Sequence, residues 1–317
     1  MRSLVVPVVV IALMLIGCGQ ESKKPATEPA KKPAATSGDP KAPAADSKDA
    51  KPAADAPSLV FEKKPLAAGA SYKQTSLADM AMEMVVVMGQ QPNKVATHEK
   101  REEARTTTVL DTKDNAITKV EVHYDDQRTI KRDSGQAEAV EIKSPVMGKT
   151  YVVTATAEGT IEVTYKNGTA PVPDEVQIVR SHHNTLGKPD QFAQLLPDKP
   201  VTVGQKVEVP AGLIKNMMNI NDEPMEIEEF AFTLKAITDV SNQLAGRFEL
   251  VLKMSVKPGP GMKMVMDMRG DVVLLQSGLL SSFSLEGPAR VELDDSLKGQ
   301  VQANGGGQMS FSKSLTY

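Results

Sequence analysis

Beyond residue 58 the dominant pattern is alternation of apolar with charged or hydroxyl-bearing residues at a period of two. This is the signature of strands that bury one face and wet the other. Lys119-Val120-Glu121-Val122-His123-Tyr124 shows it, and Thr160-Ile161-Glu162-Val163-Thr164-Tyr165 repeats the form after the turn Ala157-Glu158-Gly159. Their likeness stops within a few residues, so they read as two hairpin strands and not as units of a solenoid. Phe230-Ala231-Phe232-Thr233-Leu234 and Phe248 to Met254 flank the turn-rich Asp239 to Gly246 and predict a hairpin. Further strands are expected at Met262 to Gln276, Gly278 to Glu286 and Gln308 to Tyr317. Lys94 to Arg105 is divided. Glu99-Lys100-Arg101-Glu102-Glu103 favours helix while Thr106 to Leu110 favours strand, and a long strand is the reading adopted.

Helical signals are fewer. Pro173-Asp174-Glu175 opens a segment with Val176, Val179, His183 and Leu186 at helical spacing, closed by Gly187 and Pro189. Shorter helical turns are expected at Asp190 to Leu196 and Ala211 to Asn219. Val272-Val273-Leu274-Leu275 puts two apolar residues on each face of a strand, so both faces need cover there, and the helices are the expected cover for one. The fold class that follows is mainly β (α+β), a large curved antiparallel sheet or half-barrel with a few short helices.

Two methionine ladders are the strongest internal feature. Met80, Met82 and Met84 alternate, as do Met262, Met264, Met266 and Met268, so each set points to one face of its strand. Ordinary core is the first reading, because Met fills irregular apolar gaps. A pliable cavity for an apolar ligand such as an acyl chain is the second, and it makes these seven methionines the candidate ligand-binding residues. A Cu(I) site is the third. Same-face neighbours on one strand lie about 6.6–7 Å apart, too far to share an ion easily, so no metal is expected.

The N-terminus has the parts of an export signal: Arg2, then an apolar run from Leu4 to Ile16 interrupted only by Pro7, then Gly17 and Cys18. The run is shorter than the roughly 20 residues a spanning helix needs. Cys18 is the single cysteine of the 317-residue chain. Leu15-Ile16-Gly17-Cys18 resembles the lipobox of bacterial lipoproteins, with Ile16 where Ala or Ser is commoner. The resemblance implies transfer of diacylglycerol to the Cys18 sulfur, cleavage before Cys18 and acylation of the new amino group. It also implies, from Gly19 where Asp is the retention signal, residence at the outer membrane facing the periplasm or cell surface. Two or three acyl chains hold a protein firmly where one does so only marginally.

Residues 1–17 are then a signal peptide, and 18–58 a lipid anchor with a tether almost entirely of Ala, Pro, Lys, Asp, Glu, Ser and Thr. The tether holds no aromatic or branched aliphatic residue to offset the backbone entropy of ordering. At about 3.1 Å per residue its extended reach is on the order of 120 Å. Residues 59–317 show no second such linker and read as a single β-rich domain.

Composition narrows the function classes. Net charge is −3, Trp is absent and only 4% of residues are aromatic. Stacking platforms for bases or sugars are therefore few, and no nucleic-acid partner is expected. No HExxH, CxxC or GxSxG occurs. Ser310-Phe311-Ser312-Lys313 has the Ser-x-x-Lys spacing of penicillin-binding enzymes without their Lys-Thr-Gly and Ser-Asp-Asn partners. Asp125-Asp126 and Asp294-Asp295 read as turn or solvated residues, and Lys257 to Gly261 as a loop. Arg269-Gly270-Asp271 reads as a bulge inside a strand. His98 and His123 fall on strands and His182-His183 on the helix, where neighbours point about 100° apart and share no ligand face. Met309, Phe311, Leu315 and Tyr317 alternate toward a terminal aromatic, like the closing strand of an outer-membrane barrel, but Lys313 interrupts the apolar face.

Two further resemblances bear on the domain. A bent sheet with helices in its hollow resembles the half-barrel of periplasmic lipid-carrier lipoproteins. Leu66-Ala67-Ala68-Gly69-Ala70-Ser71-Tyr72 together with Leu196-Pro197-Asp198-Lys199-Pro200-Val201-Thr202-Val203-Gly204-Gln205 resembles an uncharacterised family of envelope lipoprotein domains of unknown function. That family commonly has a Trp soon after the Gly, where this chain has Lys206 and Val207, and it carries no catalytic residues to transfer. The expectation is a non-enzymatic, lipid-anchored envelope protein without cofactor. Its membrane partner is reached through lipid on Cys18, and its domain is a binding module for an apolar small molecule. The alternative is a structural or assembly protein that docks onto an envelope protein.

Overall fold

A computed structural model describes residues 56–88, 91–189, 193, 195–209, 225–259, 262–293 and 302–317. In chain order the strands are β1 (Ser58–Leu59), β2 (Ser71–Met88), β3 (Gln91–Lys113), β4 (Ala116–Asp133), β5 (Val140–Lys143), β6 (Thr150–Ala155) and β7 (Ile161–Tyr165). Helix α1 (Pro173–His182) follows, then β8 (Val201–Thr202), β9 (Lys206–Glu208), β10 (Met225–Val240), β11 (Gln243–Gly259), β12 (Met262–Leu275), β13 (Leu280–Leu293) and β14 (Gln302–Thr316).

The fold is mainly β. Twelve strands form one antiparallel sheet in the order β7-β6-β4-β3-β2-β14-β13-β12-β11-β10-β9, with β5 pairing the far half of β4. Two meanders, β2 to β7 and β9 to β14, are joined where the last strand pairs the first long one along β14–β2. Among the described residues the two ends, β7 and β9, do not pair, so the sheet is not closed. Hairpins β3–β4 and β10–β11 turn on Asp114-Asn115 and Ser241-Asn242, each pair with both φ values positive. That is the turn twist that matches paired strands, and Asn and Asp tolerate the left-handed region.

Register pairing carries one face continuously across the sheet. On it lie two apolar cores. The larger unites Met80 and Met82 of β2 with Phe232, Leu250, Met254, Met266, Leu285 and Met309 of β10 to β14. The smaller unites Val120, Val122 and Tyr124 of β4 with Tyr151, Val153, Val163 and Val179 of α1. We call this the inner face.

The cover of the larger core differs from the expectation. At Val272 to Leu275 it includes a strap, β1 paired to β8 over two residues, and Leu195 and Leu196 of the predicted turn at Asp190 to Leu196 are buried in the same core. Leu59 packs against Gly246, which a Cβ would bring within 3.1 Å of the Leu59 side chain, and Phe61 lies 6.0 Å from Phe248. Helix α1 instead lies on the β7 end of the sheet.

Other expectations change in detail. Lys119–Tyr124 and Thr160–Tyr165 do not pair with each other, because β6 lies between them. The helix ends at His182, one turn early: His183 leaves helical geometry at φ −124°, and Gly187 turns the chain at φ +80°. Lys257 to Gly259 continue β11 instead of forming a loop, and Pro260 and Gly261 lie outside the described residues. Arg269-Gly270-Asp271 is regular ladder on both sides, with no bulge. Gly270 is there because a Cβ would lie 1.8 Å from the Ser284 carbonyl oxygen. Strand β13 runs on past Glu286 through Pro288, whose missing N–H interrupts pairing with β12 between Met266/Ala289 and Arg269/Glu286. On the outer face beside this break is a hollow of about 690 Å³, lined by Asp79, Asp267, Arg269, Glu286, Gln308 and Ser310 among others. Ala211 to Asn219, Asp294-Asp295 and most of Asp190 to Leu196 lie outside the described residues, as do Cys18 and the tether.

Candidate binding site on the inner face

Both methionine ladders fall on the inner face, and Met80, Met82, Met264, Met266 and Met268 share one cluster. Met264, Met266 and Met268 are fully buried, Met80 and Met82 nearly so, and Met84 and Met262 are half-buried. Register adds two methionines absent from the ladders. Met254 pairs Met266 across β11–β12, and Met309 pairs Met80 across β14–β2. Between the ladders the strands carry small residues, Ala289 opposite Gly307 and Gly307 opposite Met82. A Cβ on Gly307 would stand 2.7 Å from the Met82 sulfur, so the glycine is what lets that thioether lie across the floor.

Beside this floor runs a seam of charge. Glu99, Arg101, Glu103 and Arg105 of β3 alternate at a period of two and share the inner face, opposite Met80, Ala78, Ser76 and Gln74 of β2. On the β4 side they face Lys131, Thr129, Gln127 and Tyr124. A bulge at Asp125 keeps both Gln127 and Tyr124 inward. Arg101 is tied to Glu99. Gln74 Nε2 donates to Glu103 Oε1 at 3.3 Å, Arg105 Nη2 donates to Gln74 Oε1 at 3.3 Å, and Arg105 Nη1 stands 3.3 Å from Glu103 Oε1.

The end of α1 closes over the seam. His182 Nδ1 is 3.0 Å from the Tyr124 hydroxyl, and its Nε2 is 3.6 Å from Glu103 Oε2. Burial pushes His182 down to about 4 against the pull of Glu103, and burial drives His183 well below its ordinary range, so both imidazoles are neutral at pH 7. Burial opposes ionisation of Glu103, yet Arg105, His182 and Lys313 hold its carboxyl below the usual range. Burial likewise works against the charge on Arg105, and Glu103, Tyr124 and Tyr72 more than offset it. The pair is ionised. Even so, Arg105 Nε and Nη1, Thr107 Oγ1, Gln127 Oε1 and His183 Nε2 are buried without a hydrogen-bond partner. Such groups are uncommon in native structures and cost roughly 1–3 kcal/mol each.

No family model matches the sequence, and no curated protein does. Solved structures with a resemblance include DynF from the dynemicin biosynthesis pathway of Micromonospora chersina, at 10% identity and a TM-score of 0.18, covering 82% of this chain and 85% of that one. An outer membrane channel from Pseudomonas putida F1 matches at 8% identity and a TM-score of 0.20, covering 80% and 98%. A DUF1329 family protein from Desulfovibrio piger matches at 9% identity and a TM-score of 0.13, covering 76% and 85%. Scores this low carry no argument about function.

The four histidines do not meet as a set. His98 is exposed on β3 and pairs Asp79 at 2.8 Å, and His123 contacts Thr150 Oγ1 at 2.9 Å. Among the described residues no group of three or more His, Cys, Asp or Glu could hold a metal ion. Ser310 and Lys313 face opposite sides of β14, Ser310 paired to Glu286 and Lys313 to Phe283. The charged seam escaped the sequence reading. Its signal was legible: Glu-x-Arg-x-Glu-x-Arg at positions 99 to 105 keeps strand periodicity through a segment whose composition favours helix.

Proposed function

We propose that this chain is a lipid-anchored envelope protein, held at the outer membrane through Cys18, whose β-rich domain is a non-enzymatic binding module for an apolar ligand. The observation that carries the reading is the convergence of Met80, Met82, Met84, Met262, Met264, Met266 and Met268, with Met254 and Met309, on one face of one sheet. Unbranched thioethers repack around differently shaped apolar surfaces at low cost. The β1–β8 strap over this face is a two-residue ladder, a cover that separates more easily than a long strand. The test is native mass spectrometry of the purified chain after gentle extraction: a non-covalent apolar adduct is expected, and its absence at every loading ends the proposal.

A second reading, docking onto an envelope protein, is favoured by β5. Val140 and Ile142 are 50% and 55% exposed on a strand that, among the described residues, pairs only β4. A photo-crosslinker at Ile142 in intact cells separates the two readings, because a ligand carrier needs no stoichiometric protein partner.

A further inference from the structure

We infer that Leu59 and Phe61 of the β1 strap hold the place of a ligand, and that an apolar chain such as an acyl chain enters the inner face by displacing them. The inference rests on the binding reading above and adds the route of entry to it.

Three observations carry it. The first is the seat of the strap. Residues 58 to 62 alternate, with Leu59 and Phe61 buried in the larger core and Ser58, Val60 and Glu62 exposed. Leu59 sits where β11 carries no side chain. A Cβ on Gly246 would stand 3.1 Å from Leu59 Cδ2, 3.2 Å from Leu234 Cδ1 and 2.8 Å from the Phe248 ring. The notch that Gly246 leaves is thus filled from outside the twelve-stranded sheet. It also lies at the head of a row that leads to the methionines. Phe248, Leu250, Leu252 and Met254 follow on the inner face of β11, and the last two pair Met268 and Met266 of β12. From Gly246 to Met254 is about 26 Å of strand at about 3.3 Å per residue, enough to lay out a long acyl chain.

The second is the hold. Strand β11 pairs β12 from Ala245 to Gly259, whereas β1 pairs β8 only at Ser58–Thr202 and Leu59–Val201 among the described residues. Pro57 and Pro65 bracket the segment, and neither has an N–H to extend the ladder. Further backbone ties run from Val203 N–H to the Pro57 carbonyl, from Glu62 N–H to that of Gln276 and from Lys64 N–H to that of Ser277. The ion pair of Lys63 with Asp198 at 2.6 Å ends on an exposed carboxylate, where such pairs add little.

The third is strain. Lys63 has φ +52°, a left-handed conformation that is costly for a residue with a side chain. It is pressed against Gly278, where a Cβ would stand 3.1 Å from the Lys63 Cα. Release of the strap relieves this strain, and no ladder of the twelve-stranded sheet has to break for it to leave. Segments held so lightly open locally, well before the fold as a whole.

The experiment is hydrogen exchange read by mass spectrometry on the purified full chain, with and without the neutral dye N-phenylnaphthylamine. A dye that displaces the strap should speed exchange in peptides carrying Glu62, Lys64 and Val203 about 3- to 10-fold, while slowing it in β11 and β12. A dye that slows exchange in both places has bound beside a seated strap and overturns the inference. A clamp gives the second arm. Ser58 and Thr202 face each other next to the Val203–Pro57 hydrogen bond, a non-hydrogen-bonded pair close enough for a disulfide. In S58C/T202C, dye affinity should fall about 10-fold or more on oxidation and return on reduction, which controls for folding within one preparation. Phe61→Ala loosens the strap and should tighten dye binding about 3- to 10-fold, because the open fraction sets the apparent affinity. Equal affinity in the oxidised and reduced chains overturns the strap as the entry and leaves the methionine floor standing. No dye binding in the parent, reduced and Phe61→Ala chains ends the binding reading, and the inference with it.

Discussion

Met80 of β2 lies directly opposite Met309 of β14, and this register pair joins the first long strand of the chain to its last. Both are buried, Met309 at 1% exposure. The larger core spans this junction, taking Ala78, Met80 and Met82 from β2 and most of its other strand residues from the second meander, so the β2–β14 ladder joins the two meanders into one sheet. Met309→Ala should cost about 2–5 kcal/mol, the range for emptying a buried methionine site. Urea melts monitored in both halves should shift together. A shift confined to one half would mean that the halves unfold independently.

Gly307 is the tightest point of the same ladder. A Cβ there would stand 1.9 Å from the Ala81 carbonyl oxygen and 2.7 Å from the Met82 sulfur. The thioether can swing away but the backbone oxygen cannot, so Gly307→Ala should destabilise by about 1–3 kcal/mol. Gly159, with open space around it and φ +78°, provides the contrast: alanine there meets only backbone strain. Equal melting temperatures for the Gly307→Ala and parent chains would contradict the close approach.

What the sequence revealed of this fold, and what it hid, follows from what each pattern encodes. Alternation in Met262–Leu275 and the aromatic runs around Phe232 and Phe248 mark strands, because the period itself is the burial pattern. Thr150–Ala155 was missed because Tyr151-Val152-Val153 alternates weakly, and it then displaced the expected neighbour of Lys119–Tyr124. Pairing of Met80 with Met309 is invisible locally, since which strands meet is decided by the whole topology. The seam at Glu99 to Arg105 was masked by helix-favouring residue types that tertiary pairing on both sides overrode. That is why the seven methionines could be singled out from sequence while Arg105 could not.

Glu175 fastens α1 to the sheet. Its carboxylate accepts from the Tyr151 hydroxyl at 2.8 Å, the Tyr165 hydroxyl at 2.6 Å and Lys149 Nζ at 2.6 Å, with its own side chain 4% exposed. Glu175→Ala leaves two tyrosine hydroxyls without an acceptor and should cost about 3 kcal/mol. Tyr165→Phe removes one donor and should cost about 1 kcal/mol. Tyrosine near-ultraviolet circular dichroism reports the loosening directly, and an unchanged spectrum in Glu175→Ala would rule out the latch.

The anchor has a separate readout. On the proposed lipid anchoring, Cys18→Ala should abolish incorporation of labelled palmitate, because the sole thiol of the sequence is the acceptor that proposal assigns to the diacylglyceryl group. Continued labelling in that variant would remove the lipoprotein assignment while leaving the inner-face site untouched.

Acid sensitivity should centre on His182. Its side chain is 4% exposed and faces Glu103, Arg105, Lys313, Tyr124, Gln127 and His183. Folding holds it at about 4, against an ordinary value of 6.5. Between these values the unfolded chain binds a proton that the folded chain refuses, so stability is fully present above pH 6.5 and falls as the pH drops toward 4. From pH 7 to pH 5 this one group removes about 2 kcal/mol, and His183 acts in the same direction. Glu103 and Glu175, both held below the ordinary carboxylate value, add their losses only at lower pH. Urea midpoints at pH 7 and pH 5 should therefore differ clearly in the parent chain, and His182→Gln, which cannot titrate, should narrow the gap. A gap of the same size in His182→Gln would move the acid sensitivity to another group.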